Sequence, residues 1–319
     1  MALDGTNWVK LKRPLTDEEK ARQLNVSESQ NVTPDDHFSV FDLNDVFLET
    51  TDASFHSRGV LSWGGLAVVF MGGLIAYGAA QNLATTPEHV GSTELAVGRF
   101  FMGFFVLGGL AIVLTGLWML SQEMFTWTRR PVRFNRKSRM IYAFRGVGTK
   151  KVISVPWDKA FFFVQEGRDS LTRAYTYNIR CHVLDDAHMV TQSFSVGNPV
   201  VSMYRSDTEP GQTGAACIKG EFEYIRQYME KGLSGLPQPE LVPSAVSFGS
   251  SMQLWLHSRK ALRKEGNALA STIAAMMIPL AFFYGTLNYI GRRTSREPRW
   301  PADVDDDCRI QTIVKPAQA

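Results

Sequence analysis

Three stretches of this chain carry no charged side chain. Nothing ionised lies between Arg58 and Glu88, between Arg99 and Glu123, or between Glu265 and Arg292. Each gap exceeds the roughly 20 residues a helix needs to cross a bilayer core. Lipid offers backbone groups no water, so a continuous helix is the form such a stretch takes there. The pattern predicts three transmembrane helices, at about 60–83, 100–121 and 268–290, and argues against a purely soluble protein. None of the three holds an Asp, Glu, Lys, Arg or His. Intramembrane ionisable residues mark ion and proton pathways, and three spans rarely enclose a substrate path. A pump, channel or coupled transporter is therefore disfavoured. Favoured instead is an anchor, or a set of helices that recognises another membrane segment by packing.

The rest of the chain divides around these spans. Residues 1–58 form an acidic polar segment with six Lys/Arg against eleven Asp/Glu. Residues 59–122 are a two-span hairpin, 123–235 a β-rich domain with a closing helix, and 236–267 a linker and juxtamembrane helix. Residues 268–290 are the third span and 291–319 a polar tail. The stretch from Thr16 to Asp36 reads as irregular or loosely helical, whereas the apolar cluster from Phe38 to Leu48 reads as an ordered segment packed on the β-rich domain. Within that domain, Met140, Tyr142 and Phe144 alternate with more polar positions, and Val152 to Val164 makes a second extended run. Tyr175–Val183 and Val190–Val196 then pair as a hairpin around the Asp185-Asp186 turn, by period-2 logic. Arg205 to Gly214 is loop-like. Phe222, Ile225, Met229 and Leu233 fall at helical spacing on Lys219–Leu233. Tyr142, Phe144, Trp157, Phe162, Tyr177, Ile179, Phe194, Phe222 and Ile225 are the expected core.

Charge sets the expected topology. The loop at 84–98 holds Glu88 and Glu94 and no Lys or Arg, whereas nine cations and no acid follow between Glu123 and Asp158. The positive-inside rule puts that flank in the cytoplasm, with the N-terminus inside and 84–98 outside. Counting spans puts the tail outside, although Arg292, Arg293, Arg296 and Arg299 sit poorly there. The membrane-proximal cations Arg129, Arg130, Arg133, Arg136, Lys137 and Arg139 are read as topology determinants that contact anionic headgroups, at roughly 1 kcal/mol each near the surface. An acidic protein partner is the other occupant they suit. Nucleic acid is disfavoured, because the aromatics here alternate like a β-core rather than forming a stacking platform.

Gly72, Ala76 and Ala80 place small residues on one face of the first span, and such faces let backbones approach closely in lipid. Packing against the second span is the leading reading, with homodimerisation as the alternative. No residues carry an enzyme's signature: there is no Gly-x-Ser-x-Gly, Walker lysine or His-Glu-x-x-His. Gly146-Val147-Gly148 lacks the helix that a dinucleotide fingerprint requires. Cys181, His182, Asp185, Asp186 and His188 mix metal-ligand types, but Cys181 and His182 fall on opposite faces of a strand and the Asp pair suits a turn. No catalytic residue, cofactor or metal is expected.

Two resemblances follow. The two-span hairpin, the basic strand, Ile153-Ser154-Val155-Pro156-Trp157-Asp158, the further hairpins and the closing helix resemble bacterial membrane-anchored pleckstrin-homology-like domains over 60–233. That implies a cytoplasmic mixed β/α domain, a partly open barrel with a C-terminal helix. The longer pattern combines Phe134-Asn135-Arg136-Lys137, Tyr142-Ala143-Phe144-Arg145, Pro156-Trp157-Asp158, the third span, Trp300-Pro301 and Cys308. It resembles an uncharacterised family of bacterial inner-membrane proteins encoded beside type VI secretion effectors, including colicin-like, pore-forming ones. This implies an inner-membrane immunity protein that binds a membrane-targeting toxin. The alternative is a membrane-anchored scaffold or sensor whose β-domain binds a peptide or lipid headgroup, as an accessory of effector secretion.

Overall fold

The structure, a computed structural model, describes residues 2–4, 7–85, 91–145, 152–168, 173–264 and 268–309. Its elements run in the order β1 (Ala2–Asp4), β2 (Asn7–Val9), α1 (Asp17–Ala21), β3 (Gln23–Leu24), β4 (Val40–Leu43), β5 (Phe47–Thr50), α2 (Val60–Ala84) and α3 (Ser92–Glu123). There follow β6 (Val132–Asn135), β7 (Met140–Phe144), β8 (Val152–Pro156), a 3-10 turn (Trp157–Lys159), β9 (Phe161–Arg168), β10 (Tyr175–Leu184) and β11 (Val190–Ser202). The helices α4 (Glu209–Lys231), α5 (Phe248–Lys264), α6 (Ala268–Arg293) and α7 (Ala302–Asp307) complete the chain. These elements fall into two compact units. One comprises Met1–His56, Arg129–Ser244 and Glu297–Ala319, and the other Ser57–Thr128 and Ala245–Arg296.

The first unit is a mixed α/β fold. A five-stranded antiparallel sheet has the order β4-β5-β6-β7-β8, and a four-stranded one the order β11-β10-β9-β3, beside a small β1-β2 pair. The extended run from Val152 breaks at Pro156, where Trp157 starts the 3-10 turn and the chain passes from the first large sheet to the second. β8 is an edge strand, which tolerates a proline at its end. The two sheets and α4 share one core. Val132, Phe134, Ile141 and Val155 from one sheet meet Phe162, Tyr177, Ile179 and Phe194 from the other, and Phe222, Ile225 and Tyr228 from α4. Trp157 is fully buried, with its ring 6.1 Å from that of Phe222.

All nine expected core residues are buried, though not all in one place. On β7 the principal core takes Ile141 and Ala143, and Tyr142 faces the other way, under Val304 and Cys308 of the C-terminal segment. Both faces of β6 and β7 are covered, so alternation could not assign the inner one. Within the stretch from Thr16 to Asp36, expected to be irregular or loosely helical, Asp17–Ala21 is helical and Gln23–Leu24 is a strand. Thr16 and Glu19 form a capping box on α1, and β3 pairs with β9. The cluster near Phe38 supplies β4 and β5, which join β6. α4 begins ten residues earlier than expected, at Glu209, with the Thr208 hydroxyl accepting from Gly211 N and proline in its first turn. That takes in part of a segment expected to be a loop. β11 likewise runs on through Asn198-Pro199 to Ser202, with an irregular register between Tyr177 and Ile179 of its partner.

The second unit is helical. α2 and α3 are both long and apolar enough to cross a membrane. α6, with Pro279 inside it, covers the third charge-free stretch, part of which lies outside the residues whose side chains are described. Gly146-Val147-Gly148, Glu88, Lys150 and Lys151 also lie outside the described residues.

Candidate functional site

α2 and α3 meet along a glycine seam. A methyl group on Gly72 would stand 2.8 Å from the Gly109 carbonyl oxygen and 2.9 Å from Val113 N. One on Gly109 would meet Ala76 N at 2.7 Å, and one on Gly116 would meet the Gly65 oxygen at 2.8 Å. Gly65, Gly72 and Ala79 on α2 are buried, as are Gly109 and Gly116 on α3. Their spacing is seven residues, the repeat that keeps a seam on one face of packed helices. Gly72 and Ala76 therefore lie in the intramolecular seam. Ala80 is exposed, because the seam advances by seven residues and Ala79 takes that place. Gly73 and Gly78 have nothing within 4 Å of where a side chain would begin. The outward surface is apolar, with Phe70, Leu74 and Tyr77 on α2 and Phe100, Phe104 and Leu107 on α3 exposed.

One end of this hairpin is tied by the two charges that bound it. Glu123 Oε2, from the end of α3, accepts from Gly59 N at 3.0 Å, Ser62 N at 2.8 Å and Ser62 Oγ at 2.6 Å. It therefore supplies acceptors for amides at the start of α2 that have no partner within their own helix, and places negative charge at the positive end of the helix dipole. In return the Arg58 guanidinium donates to the Glu123 and Trp127 carbonyls, and to Ser295 Oγ at 2.6 Å. Arg58 and Glu123 thus each cap the other's helix.

The six membrane-proximal cations have unlike surroundings. Arg133 is buried and donates to Glu49 Oε2 through Nε at 3.0 Å and Nη2 at 2.7 Å. Its Nη1 reaches Asp305 at 3.2 Å, and its guanidinium lies over the rings of Phe47 and Trp300, at 4.3 and 4.7 Å. Arg139 pairs with Asp158 at 2.6 Å and Glu230 at 3.0 Å. Arg129 donates to the Ser244 carbonyl and lies over Phe41. Arg136 packs beside Gly232. Arg130 is half-buried and Lys137 is exposed. Arg133 is thus engaged inside the β-rich unit, whereas the Arg139 pairs lie at its surface, with the arginine side chain 39% exposed. Their partners stand far away in sequence, which is why a run of cations looked uniform.

The mixed cysteine, histidine and aspartate cluster is divided between two faces. Cys181 is fully buried in the core, where desolvation raises its thiol well above the usual range. His182, on the other face of β10, has Nδ1 3.0 Å from Ser193 Oγ and Nε2 3.1 Å from Glu19 Oε1. Burial alone would raise Glu19, but hydrogen bonds from Arg13, Thr16 and His182 outweigh it and hold the carboxyl at about 2. Burial lowers His182, with Glu19 opposing in part. Serine, histidine and carboxylate are in line, yet His182 is 1% exposed and Ser193 5%, so this triad ties the N-terminal segment to the sheet and offers no substrate a path. Asp185 Oδ1 accepts from Ala187 N and Met189 N and closes the hairpin turn. Among the described residues, no three His, Cys, Asp or Glu side chains are grouped to hold a metal.

Sequence reasoning missed the docking of the C-terminal segment on the five-stranded sheet. Asp307 Oδ2 accepts from Tyr142 OH at 2.7 Å, Ser138 Oγ at 2.7 Å and Asn135 Nδ2 at 2.8 Å. Trp300 Nε1 donates to Glu49 at 3.1 Å. The signal was present in the Asp305-Asp306-Asp307 run, an acidic stretch in a chain whose basic strand needs one.

Against known proteins, one family model matches, a family of unknown function (DUF6708), over residues 110–312, more than half of the chain. No curated protein and no solved structure matches.

Proposed function

The chain belongs to DUF6708, a family of unknown function, and from that premise we propose that it is an inner-membrane immunity protein which binds a membrane-targeting, pore-forming toxin of the type VI secreted kind. In this reading the two long apolar helices and α6 lie in the bacterial inner membrane, and the β-rich unit, a pleckstrin-homology-like partly open barrel closed by α4, lies in the cytoplasm. It acts by binding and not by catalysis.

The observation that carries the reading is the α2–α3 hairpin. It closes on a glycine seam whose backbones approach within van der Waals contact, and it holds no ionisable side chain between Arg58 and Glu88 or between Arg99 and Glu123. Such a hairpin offers ions no path, while its outward face is apolar along its length. A toxin that opens a pore must be met in the membrane where the pore forms, and an uncharged hairpin can pack against its helices without conducting. The scaffold reading asks only for a surface on the β-rich unit, and Lys137 and Arg130 are the flank cations least engaged there.

Survival is the test. Cells expressing the toxin encoded beside this gene should live when the protein is present and depolarise when it is absent. Equal killing in both would reject immunity and leave the scaffold reading ahead.

A further inference from the structure

The chain passes into the helical unit at Ser57 and Ala245 and leaves it after Thr128 and Arg296. Within that unit all four points meet at one end. Arg58 donates to the Glu123 and Trp127 carbonyls and to Ser295 Oγ. Thr128 N donates to the Arg296 carbonyl at 2.8 Å, and Arg296 N to the Thr126 carbonyl at 2.9 Å. Arg292 Nη2 donates to the Ala245 carbonyl at 3.0 Å. Hence α2 and α5 start where α3 and α6 finish. α5 runs antiparallel beside α6. The Phe248 ring is 5.9 Å from that of Tyr289, Met252 reaches Gly285, and Trp255 stacks on Tyr284 at 4.8 Å.

An independent set of contacts fixes the tail. Val304 and Cys308 are buried with Val46, Phe47 and Tyr142, and Asp305 and Asp307 bond to Arg133, Asn135 and Tyr142. The tail and the β-rich sheets are one folded unit, and a folded unit of this kind occupies one side of a bilayer.

We propose that α5 and α6 form a second hairpin that enters the bilayer from the side of the β-rich unit and brings the tail back to that side. This rests on the reading that α2–α3 is membrane-inserted. A single crossing by α6, which counting apolar stretches suggests, would carry the tail to the opposite side and pull it off its sheet. The surface offered to lipid is the outward face of α6, where Met276, Leu280 and Phe283 are exposed. α5 has 17 residues. At about 1.5 Å each it extends about 25 Å, against a hydrocarbon core of about 30 Å. Its cations Arg259, Lys260, Arg263 and Lys264 all fall in the C-terminal half of its sequence. The same geometry removes the awkwardness of Arg292, Arg293, Arg296 and Arg299. They follow α6 on the cation-rich side, where the positive-inside rule wants them.

The test is labelling of the full chain in intact cells and in inverted membrane vesicles with a membrane-impermeant maleimide. The parent carries Cys217→Ser, since Cys217 is the exposed cysteine and Cys181 and Cys308 are buried. Single cysteines are then placed at three exposed positions, Glu94→Cys, Lys231→Cys and Asp303→Cys. The expected result is Asp303→Cys labelled as fully as Lys231→Cys in the same preparation, with Glu94→Cys labelled in the other. Asp303→Cys labelled together with Glu94→Cys, opposite Lys231→Cys, would overturn the proposal and leave the inserted α2–α3 hairpin standing. Glu94→Cys labelled together with Lys231→Cys would instead overturn the insertion on which it rests. Asp306→Cys, one turn further along α7, repeats the tail measurement should Asp303→Cys fold poorly.

Discussion

Replacing Arg133 by alanine separates two accounts of the basic flank. Arg133 and Glu49 are 9% and 5% exposed and joined by a two-pronged bond. Removing the arginine leaves the Glu49 carboxylate buried, with Trp300 Nε1 as the partner that stays. Breaking a buried pair in this way costs about 3–5 kcal/mol. Losing the guanidinium between Phe47 and Trp300 adds roughly 0.5–1 kcal/mol per ring. Asp305 is mostly solvated, so its share is at most about 1 kcal/mol. A total of about 4–8 kcal/mol would lower the Tm of the β-rich unit by on the order of 10–20 °C. The assay is thermal unfolding of the full chain in detergent micelles, with Lys137→Ala as the control expected to change stability by less than about 0.5 kcal/mol. If Arg133→Ala unfolds like the wild type but binds anionic vesicles less well, Arg133 is a headgroup ligand and the ion-pair reasoning is wrong.

Other substitutions probe the remaining contacts. Gly72→Leu should loosen the hairpin, costing about 1–3 kcal/mol through overpacking against the α3 backbone, while Gly73→Leu should leave it intact; cysteine cross-linking between α2 and α3 reads both, and equal effects would refute the seam. If protection against the toxin is found, Gly73→Leu is therefore the variant that probes an outside partner, since Gly72→Leu damages the hairpin itself. Glu221 is buried in α4 with desolvation raising its carboxyl well above the usual range, and desolvation also lifts Asp36 to about 6. Stability from these neutral acids is present below their unfolded pKa of roughly 4 and is lost as pH rises through the folded values. Glu221→Gln should therefore stabilise the unit at neutral pH and flatten the decline above pH 4, and urea midpoints across that range that match the wild type would refute it. Phe222→Asp, which places a carboxylate beside Trp157 and Phe162, should cost several kcal/mol and abolish the cooperative transition in near-UV circular dichroism.

The helices were legible in the sequence because a charge-free stretch of this length has few other folds open to it. The expected ends at Leu83 and Ser121 fall within two residues of those of α2 and α3. The hairpin of β10 and β11 was legible for the same local reason, a period of two closed by an aspartate turn. What could not be read were pairings between distant residues. Arg133 looked like one cation among nine because Glu49 lies 84 residues away. Tyr142 looked like the inner face of its strand because nothing local reveals that Val304 and Cys308 cover the outer one. The small-residue face was found at Gly72 and Ala76, but the step of four that extended it to Ala80 was the wrong period for two helices packed along a seam. The seam's other half, Gly109 and Gly116, shows its role only once the hairpin is closed. The order at residues 17–24 came from capping and edge pairing, neither of which leaves a hydrophobic pattern.

The central claim is that α2 and α3 form a hairpin buried in a bilayer, and its most direct measurement is extraction of cell membranes with alkaline carbonate followed by sedimentation. The account predicts that the full chain stays in the membrane pellet after the wash and is released only by detergent. Recovery of the chain in the supernatant would contradict it.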